Sequence, residues 1–263
     1  MSLVNRAART AVTLFPYFNE ARISAQQWIQ NRMRIPFDKD FKALRLFPDI
    51  KDAIYLDIGG NRGFATDAIL MHSSSCRVFY YEPNPVVFEK VKNRFKANPR
   101  VETANFALGD TPGNFILYIP MYRGRVFDGL ASLNYEEART WLGKDKILFF
   151  DEKKLHMREC RSEVRKLDDL GLDPFFVKLD VQGYELNVLR GGENTIRKSQ
   201  PILLIESVEK GDSVLKYLEA FGYRSYRFDR NRFIRDETGS PNSFLMTEDK
   251  FRLLLSPDLP SKK

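Results

Sequence analysis

At 263 residues with 43% hydrophobic content, the chain can bury one sizeable core. No apolar run approaches the roughly 20 residues that a membrane-spanning helix needs, and the opening MSLVNRAARTAVTLF lacks the apolar stretch and cleavage site of a secretory leader. Two cysteines, Cys76 and Cys160, are too few for a disulfide framework, so a cytoplasmic setting is expected.

No linker or repeat divides the chain, and a helical N-terminal extension over 1–50 is expected to precede one domain over 51–263. Part of the net charge of +7 sits in the first 34 residues, where Arg6, Arg9, Arg22, Arg32 and Arg34 face only Glu20. Phe15, Tyr17, Phe18 and Trp28 are interleaved with them. Two readings are open: an amphipathic helix laid on the body with a solvated basic face, or a surface that makes weak peripheral contact with anionic lipid or an acidic substrate. The spread of the basic residues favours the first. No nucleic-acid motif accompanies them, so no nucleic-acid partner is expected.

From residue 53 strand-like and helix-like segments alternate, which predicts an α/β fold with a mainly parallel central sheet and helices on both faces. The apolar run 53–58 reads as a buried strand, 62–72 as a helix, 77–81 as a second strand and 86–96 as a second helix. A third strand is expected over 101–108 and an added one over 115–119, after the turn Thr111-Pro112-Gly113-Asn114. Residues 121–160 break the rhythm and read as an irregular insertion, a lid or binding loop. Residues 163–165 are expected to pair with 115–119. Strands then follow at 175–179 and 201–205, a helix at 184–198 interrupted at Gly191-Gly192, a helix at 213–221, and last strands at 223–228 and 243–246.

Ligands of open parallel sheets bind at the carboxyl ends of the strands. Those ends here carry Asp57, Glu82, Asp180 and Glu206. Any one of these acids could be a turn former, but four at one sheet edge call for a ligand. Between the first strand and its helix stands Asp57-Ile58-Gly59-Gly60-Asn61-Arg62-Gly63. Its glycines permit a tight turn and close backbone approach. The dinucleotide spacing G-x-G-x-x-G fails, which counts against a nicotinamide-dependent oxidoreductase. The spacing suits a ligand without phosphates whose cationic amine meets Asp57, and S-adenosylmethionine (SAM) is such a ligand. Glu82 is placed to accept the ribose hydroxyls, Pro83 and Asn84 to shape the adenine slot, and Asn105-Phe106-Ala107 to flank its other face.

These segments, with Ala107-Leu108-Gly109-Asp110, Leu167-Asp168-Asp169-Leu170, Val177-Lys178-Leu179-Asp180-Val181-Gln182-Gly183-Tyr184-Glu185 and Val188-Leu189-Arg190-Gly191-Gly192, occur in an order that resembles the FkbM family of SAM-dependent methyltransferases. The resemblance covers roughly residues 53 to 206. It implies a Rossmann-like class I methyltransferase fold, SAM as cofactor, and O-methylation of a hydroxyl on a sugar, glycan or natural-product-type small molecule. Gly60 and Gly192 stand where alanine is expected, exchanges that should be harmless. Gln182 stands where glutamate is common, which removes a negative charge from that point.

Methyl transfer to oxygen requires an aligned acceptor and a group that takes or shares its proton. Lys178 and Asp180, two residues apart on one strand, point to the same side, and a buried lysine requires a carboxylate partner. Asp180 and Glu206 are the candidates for that partner, and Asp180 for the residue beside the transferred methyl. Two other readings stay open: an ion-pair network that merely orders the sheet edge, and a divalent metal on Asp180 and Glu206, not favoured because no third ligand is evident. His156 in the insertion has no readable partner, and His72 is expected to close a helix. Tyr122, Arg123, Arg125, Phe127, Tyr135 and Trp141 either line an acceptor pocket or pack the lid onto the sheet. A non-catalytic SAM-binding protein is the rival from another class.

Overall fold

The computed structural model describes residue 10, residues 16–140 and residues 142–255. Arg6, Arg9, Phe15 and Trp141 lie outside the described residues. Strands β1 (Ile54–Ile58), β2 (Arg77–Tyr81) and β3 (Val101–Ala104) are followed by β4 (Ala107–Leu108), β5 (Gly113–Tyr122), β6 (Arg125–Val126) and β7 (Leu155–Arg165). The second half supplies β8 (Pro174–Leu179), β9 (Ile202–Glu206), β10 (Tyr223–Asp229), β11 (Arg232–Arg235) and β12 (Asn242–Thr247). Eight of them form one sheet in the order β11-β10-β12-β9-β8-β1-β2-β3. The run from β3 to β9 is parallel, whereas β12 enters antiparallel between β9 and β10. This is the α/β, Rossmann-like sheet of the class I methyltransferases, with its strand order reversing between β1 and β8. Such a reversal opens a crevice at the strand ends.

Strand alternation divides the core into two layers. Leu56, Ile58, Val177, Leu179, Leu203 and Ile205 face Val188, Leu189 and Ile196 of the helices Glu185–Gly191 and Glu193–Ser199, and Leu218 of Ser213–Glu219. Tyr55, Phe176, Ile202 and Leu204 face Ala65, Ala68 and Ile69 of the helix Phe64–His72, with Phe41 and Leu44 of the short 3-10 helix Lys39–Leu46. By the same alternation Asp57, Lys178, Asp180 and Glu206 fall on this second face. Asn84 starts the helix Pro85–Phe95 by accepting a hydrogen bond from Val86 N, with Pro85 in the first turn, where its missing N–H costs nothing.

Three expectations are corrected. The strand expected over 101–108 is broken at Asn105-Phe106, and its second piece, β4, pairs with β7 in a second sheet of order β4-β7-β5-β6. The expected pairing of 115–119 with 163–165 is shifted: Gly113 pairs with Val164, and Phe115 with Ser162. The insertion 121–160 begins and ends as strand, because β5 and β7 run on into it as far as the pair Tyr122–Leu155, while the described residues of 127–154 between them are loops and short helices, as expected. The helix over 184–198 is interrupted at the glycine pair as expected, giving Glu185–Gly191 and Glu193–Ser199. Periodicity alone did not single out β11, the helix Glu248–Leu255 or Lys39–Leu46, all short pieces along the sheet's margin.

The third correction concerns the N-terminal helix Pro16–Met33. The helix lies against the body with Arg22 and Arg32 solvated, as expected, but it is not divided into an apolar inner and a basic outer side. Gln27 donates to Asp67 Oδ2 (2.8 Å) and to the Arg62 carbonyl (3.1 Å), while Trp28, Ile29 and Met33 face outward. No helix of the described residues is long and apolar enough to cross a membrane.

Candidate active site

The turn after β1 is built on steric necessity. Gly59 adopts φ +70°, and a Cβ there would collide with the Asp180 carbonyl oxygen. Its absent side chain thus lets the loops after β1 and β8 touch, rather than admitting a ligand. Gly60 is not exchangeable with alanine as expected, because a Cβ would run into the ring of Tyr80, whose hydroxyl donates to the Asn61 carbonyl. Gly63, at φ +74°, begins the helix Phe64–His72 and leaves room for Arg94. Arg94 in turn bonds Asp67 Oδ2 at 2.6 Å and the carbonyls of Arg62 and Gly63 at 3.0 and 3.2 Å, clamping the turn from outside.

Asp57 was expected to meet a ligand's amine. It is instead wholly buried: Oδ2 accepts from Thr66 N (3.0 Å) and Thr66 Oγ1 (2.7 Å), and Oδ1 lies 3.6 Å from Lys178 Nζ. Asp57 and Lys178 are direct partners in the β1–β8 register, so their pairing follows from laying the two strands side by side. Lys178 Nζ also lies 3.3 Å from Asp180 Oδ2 and donates to the Gly59 carbonyl at 2.9 Å. Burial works against the ammonium, but the Asp180 and Asp57 carboxylates more than offset it and hold its pKa above the ordinary value. Lys178 is thus the cation that locks the two loops, and it does not reach the cavity.

A cavity with about 620 Å³ of empty space opens over the ends of β1, β2 and β8. Of the expected cofactor residues Gly59, Asn61, Glu82, Pro83, Phe106 and Ala107 line it, together with Asp180. Gly60, Gly63 and Asn84 do not line it, being occupied with packing and capping. Asn105 also stands aside, tying the turn after β2 by donating to the carbonyls of Glu82 (2.7 Å) and Pro83 (3.1 Å). Glu82 accepts from Asn61 N and Asn84 N, each at 2.8 Å. Burial pushes its pKa up to about 7 against those two hydrogen bonds. The wall that sequence reasoning missed comes from the hairpin insertion: Gly129, Ala131, Ser132 and Leu133. No composition signal marks them, because they are small residues whose role is set by where the hairpin folds back.

Of the aromatic and basic residues flagged in the insertion, the described ones do the other job. Tyr122 is fully buried, stacks on Phe150 at 5.0 Å and packs with Leu142 and Ile147, while Tyr135 sits edge-on to Tyr118. They hold the hairpin together and none lines the cavity. His156 is exposed on β7, and His72 closes its helix as expected.

At the cavity's inner edge Gln182 Nε2 donates to Asp180 Oδ1 (2.6 Å) and to Glu206 Oε2 (3.0 Å), and the two carboxyl groups hydrogen-bond each other. Burial disfavours ionised Asp180, yet Lys178 and the bonds from Glu206 and Gln182 prevail and hold it below the usual carboxylate range. Burial and the adjacent Asp180 charge push Glu206 up to about 8. At neutral pH the pair therefore shares one proton, carried by Glu206. Asn61, Gln182 and Ser207, at the ends of three neighbouring strands, all have left-handed backbones, φ +42°, +52° and +58°. Such strain in non-glycine residues concentrates where a site is held in a fixed shape. Among the described residues no group of three His, Cys, Asp or Glu side chains is arranged to hold a metal ion.

The reversed strand order and the acid-edged crevice define a methyltransferase of class I architecture. The profile of the Methyltransferase FkbM domain matches residues 57–225, and the chain belongs to the FkbM methyltransferase family. Over 154 residues it is 25% identical to the 2-O-methyltransferase NoeI of Sinorhizobium fredii (strain NBRC 101917 / NGR234), a match spanning 57% of this chain and 61% of that protein. Among solved structures it is similar to methyltransferase FkbM from Methylobacillus flagellatus KT (15% identity, TM-score 0.46, 74% of this chain and 44% of that one). It is also similar to an rRNA methylase from Streptococcus thermophilus (12% identity, TM-score 0.42, 80% and 94%).

Proposed function

We propose that this chain is a SAM-dependent O-methyltransferase whose acceptor is a hydroxyl of a sugar, glycan or natural-product-type small molecule. The observation that carries the reading is Asp180, an ionised carboxylate held at the cavity edge by Lys178 and Gln182 with the proton-bearing Glu206 behind it. The lining of the cavity suits the cofactor in chemistry. Glu82 offers carboxylate lone pairs to ribose hydroxyls, Pro83 and Phe106 offer apolar faces to adenine, and Gly59 and Asn61 bound the amino-acid end. No pyrophosphate is accommodated at Gly59, where the Asp180 carbonyl already fills the space.

The bound cofactor supplies an electrophilic methyl on a sulfonium sulfur. The chain's own task is to orient a hydroxyl in line with that methyl and to remove its proton. Asp180 accepts the hydroxyl's hydrogen bond. A carboxylate of lowered basicity suffices, because the acceptor proton becomes strongly acidic as the carbon–oxygen bond forms. The departing proton goes to Asp180, and Glu206 and Gln182 keep that carboxylate aimed.

A second cavity adjoins the first through Gln182 and is lined by Glu137, Glu206, Asp212 and Ser213, with no lysine or arginine among its lining. These carboxyl groups accept hydrogen bonds from a hydroxyl-rich acceptor and disfavour an anionic one. The 2-O-methyltransferase among the relatives supports the same acceptor chemistry. The test is to incubate the protein with methyl-labelled SAM and fractionated glycans and small metabolites. Label in an acid-stable methyl ether supports the reading, and label on nitrogen, or none with SAM bound, overturns it.

A further inference from the structure

The N-terminal helix leaves large apolar side chains exposed on its outward side instead of packing them on the core. At about 3.6 residues per turn, Ile23, Gln27 and Gln30 share one face, Trp28, Ile29 and Arg32 the opposite one, and Met33 flanks the latter. The first face is half-buried against the body, and the second is exposed. Gln27 holds it through Asp67 and the Arg62 carbonyl, and Arg34 through the Met71 carbonyl at 2.6 Å. The outward face leaves Trp28 69%, Met33 63% and Ile29 51% exposed, with Ile35 at 50% just beyond the helix. Large apolar side chains so grouped on a surface mark a place where something docks.

We infer that this face is a peripheral docking surface for an anionic lipid bilayer. Charge selects that occupant. From Arg22 to Phe37 the described chain has three arginines and no acidic residue, and the sequence before it adds Arg6 and Arg9 against Glu20 alone. A cationic rim around tryptophan and aliphatic side chains matches the headgroup region of an acidic membrane, where tryptophan is favoured and arginine meets lipid phosphate. A second copy of this chain is a poor match, because apposing two such faces brings Arg32 and the like charge of two basic chains together. Gln27 links the surface to the turn Gly59–Gly63, so docking is coupled mechanically to the edge of the cavity.

The experiment uses the full chain carrying Trp141→Phe, which leaves Trp28 as the sole tryptophan of the two. It is mixed with phosphatidylcholine vesicles with and without phosphatidylglycerol, followed by flotation and tryptophan emission. Expected are flotation and a blue shift only with phosphatidylglycerol, reversed by high salt. The triple change Trp28→Ser, Ile29→Ser, Met33→Ser, confined to exposed positions, should weaken flotation at least about tenfold while SAM affinity is unchanged. Arg32→Glu should weaken it less. Failure to float with phosphatidylglycerol, or flotation indifferent to the triple change, overturns the inference. So does a concentration-dependent dimer, or a complex with an acidic protein, that the triple change abolishes without any vesicle binding.

Discussion

Asp180 and Glu206 divide one proton unequally because Lys178 stands 3.3 Å from the first. Replacing Asp180 with Asn should lower kcat by about 10²-fold or more, the usual contribution of a positioned proton acceptor, while SAM affinity persists. Calorimetry beside initial rates checks the split, and wild-type turnover would remove Asp180 from the chemistry. Glu206 sets a pH signature. Its folded pKa, about 8, lies above the ordinary 4.5, so the folded state holds this proton more tightly than the unfolded chain. Its stabilising contribution is therefore complete below about 4.5 and is lost as pH rises toward and through about 8. Glu206→Gln should flatten the fall in thermal midpoint across that window and move the alkaline limb of kcat. Glu82, raised to about 7, leaves a residual slope. At Gly60 the Tyr80 ring fills the place of a Cβ. Gly60→Ala should cost about 1–3 kcal/mol in the wild-type chain and distinctly less with Tyr80→Val, a coupling read from a denaturation double-mutant cycle.

At the scale of elements, the cofactor turn is held from behind by the helix Pro85–Phe95 through Arg94. Arg94→Ala should weaken SAM binding by about 1 kcal/mol, roughly fivefold in Kd, with kcat at saturation little changed. The β5–β7 hairpin has its own small core of Tyr122, Leu142 and Ile147, separate from the two layers around the main sheet. Such satellite cores open at lower free energy than the sheet. Tyr122→Ala should make the segment between β6 and β7 susceptible to limited proteolysis and raise the SAM Kd, since Ser132 and Leu133 line the cavity. Cleavage confined to the chain termini would show that the hairpin does not depend on this core. The hairpin's reach could not be read from the sequence. Alternation is clear over 115–119, but the long arms of β5 and β7 carry exposed charged positions such as Arg158, Glu159 and Arg161 that hide a strand among loop-like residues.

Across the whole molecule, the site exists only where the strand order reverses between β1 and β8, so ligand and fold stabilise one another. SAM at a hundred times its Kd should add about 2.7 kcal/mol, a rise of roughly 5–10 °C in the thermal midpoint, measurable by differential scanning fluorimetry. No shift with SAM or its demethylated product would remove the cofactor from the reading. What the amino-acid order determined alone is local: buried parallel strands ending in Asp57, Glu82, Asp180 and Glu206, the glycine turn after the first, and the family those motifs share. Period-two apolar runs and glycine punctuation are properties of neighbouring residues, and they survive without knowledge of what lies across the sheet. Tertiary structure decided which acids face the cavity and which are consumed within. Asp57 turned inward to Lys178 and Thr66, Gln182 became the bridge between two carboxyl groups, and small residues of a distant hairpin closed the wall. It also turned Trp28 and Met33 away from the body. Each of these outcomes depends on side chains brought together from segments far apart in the chain, and burial, charge and hydrogen bonding between them exist only once the chain has folded.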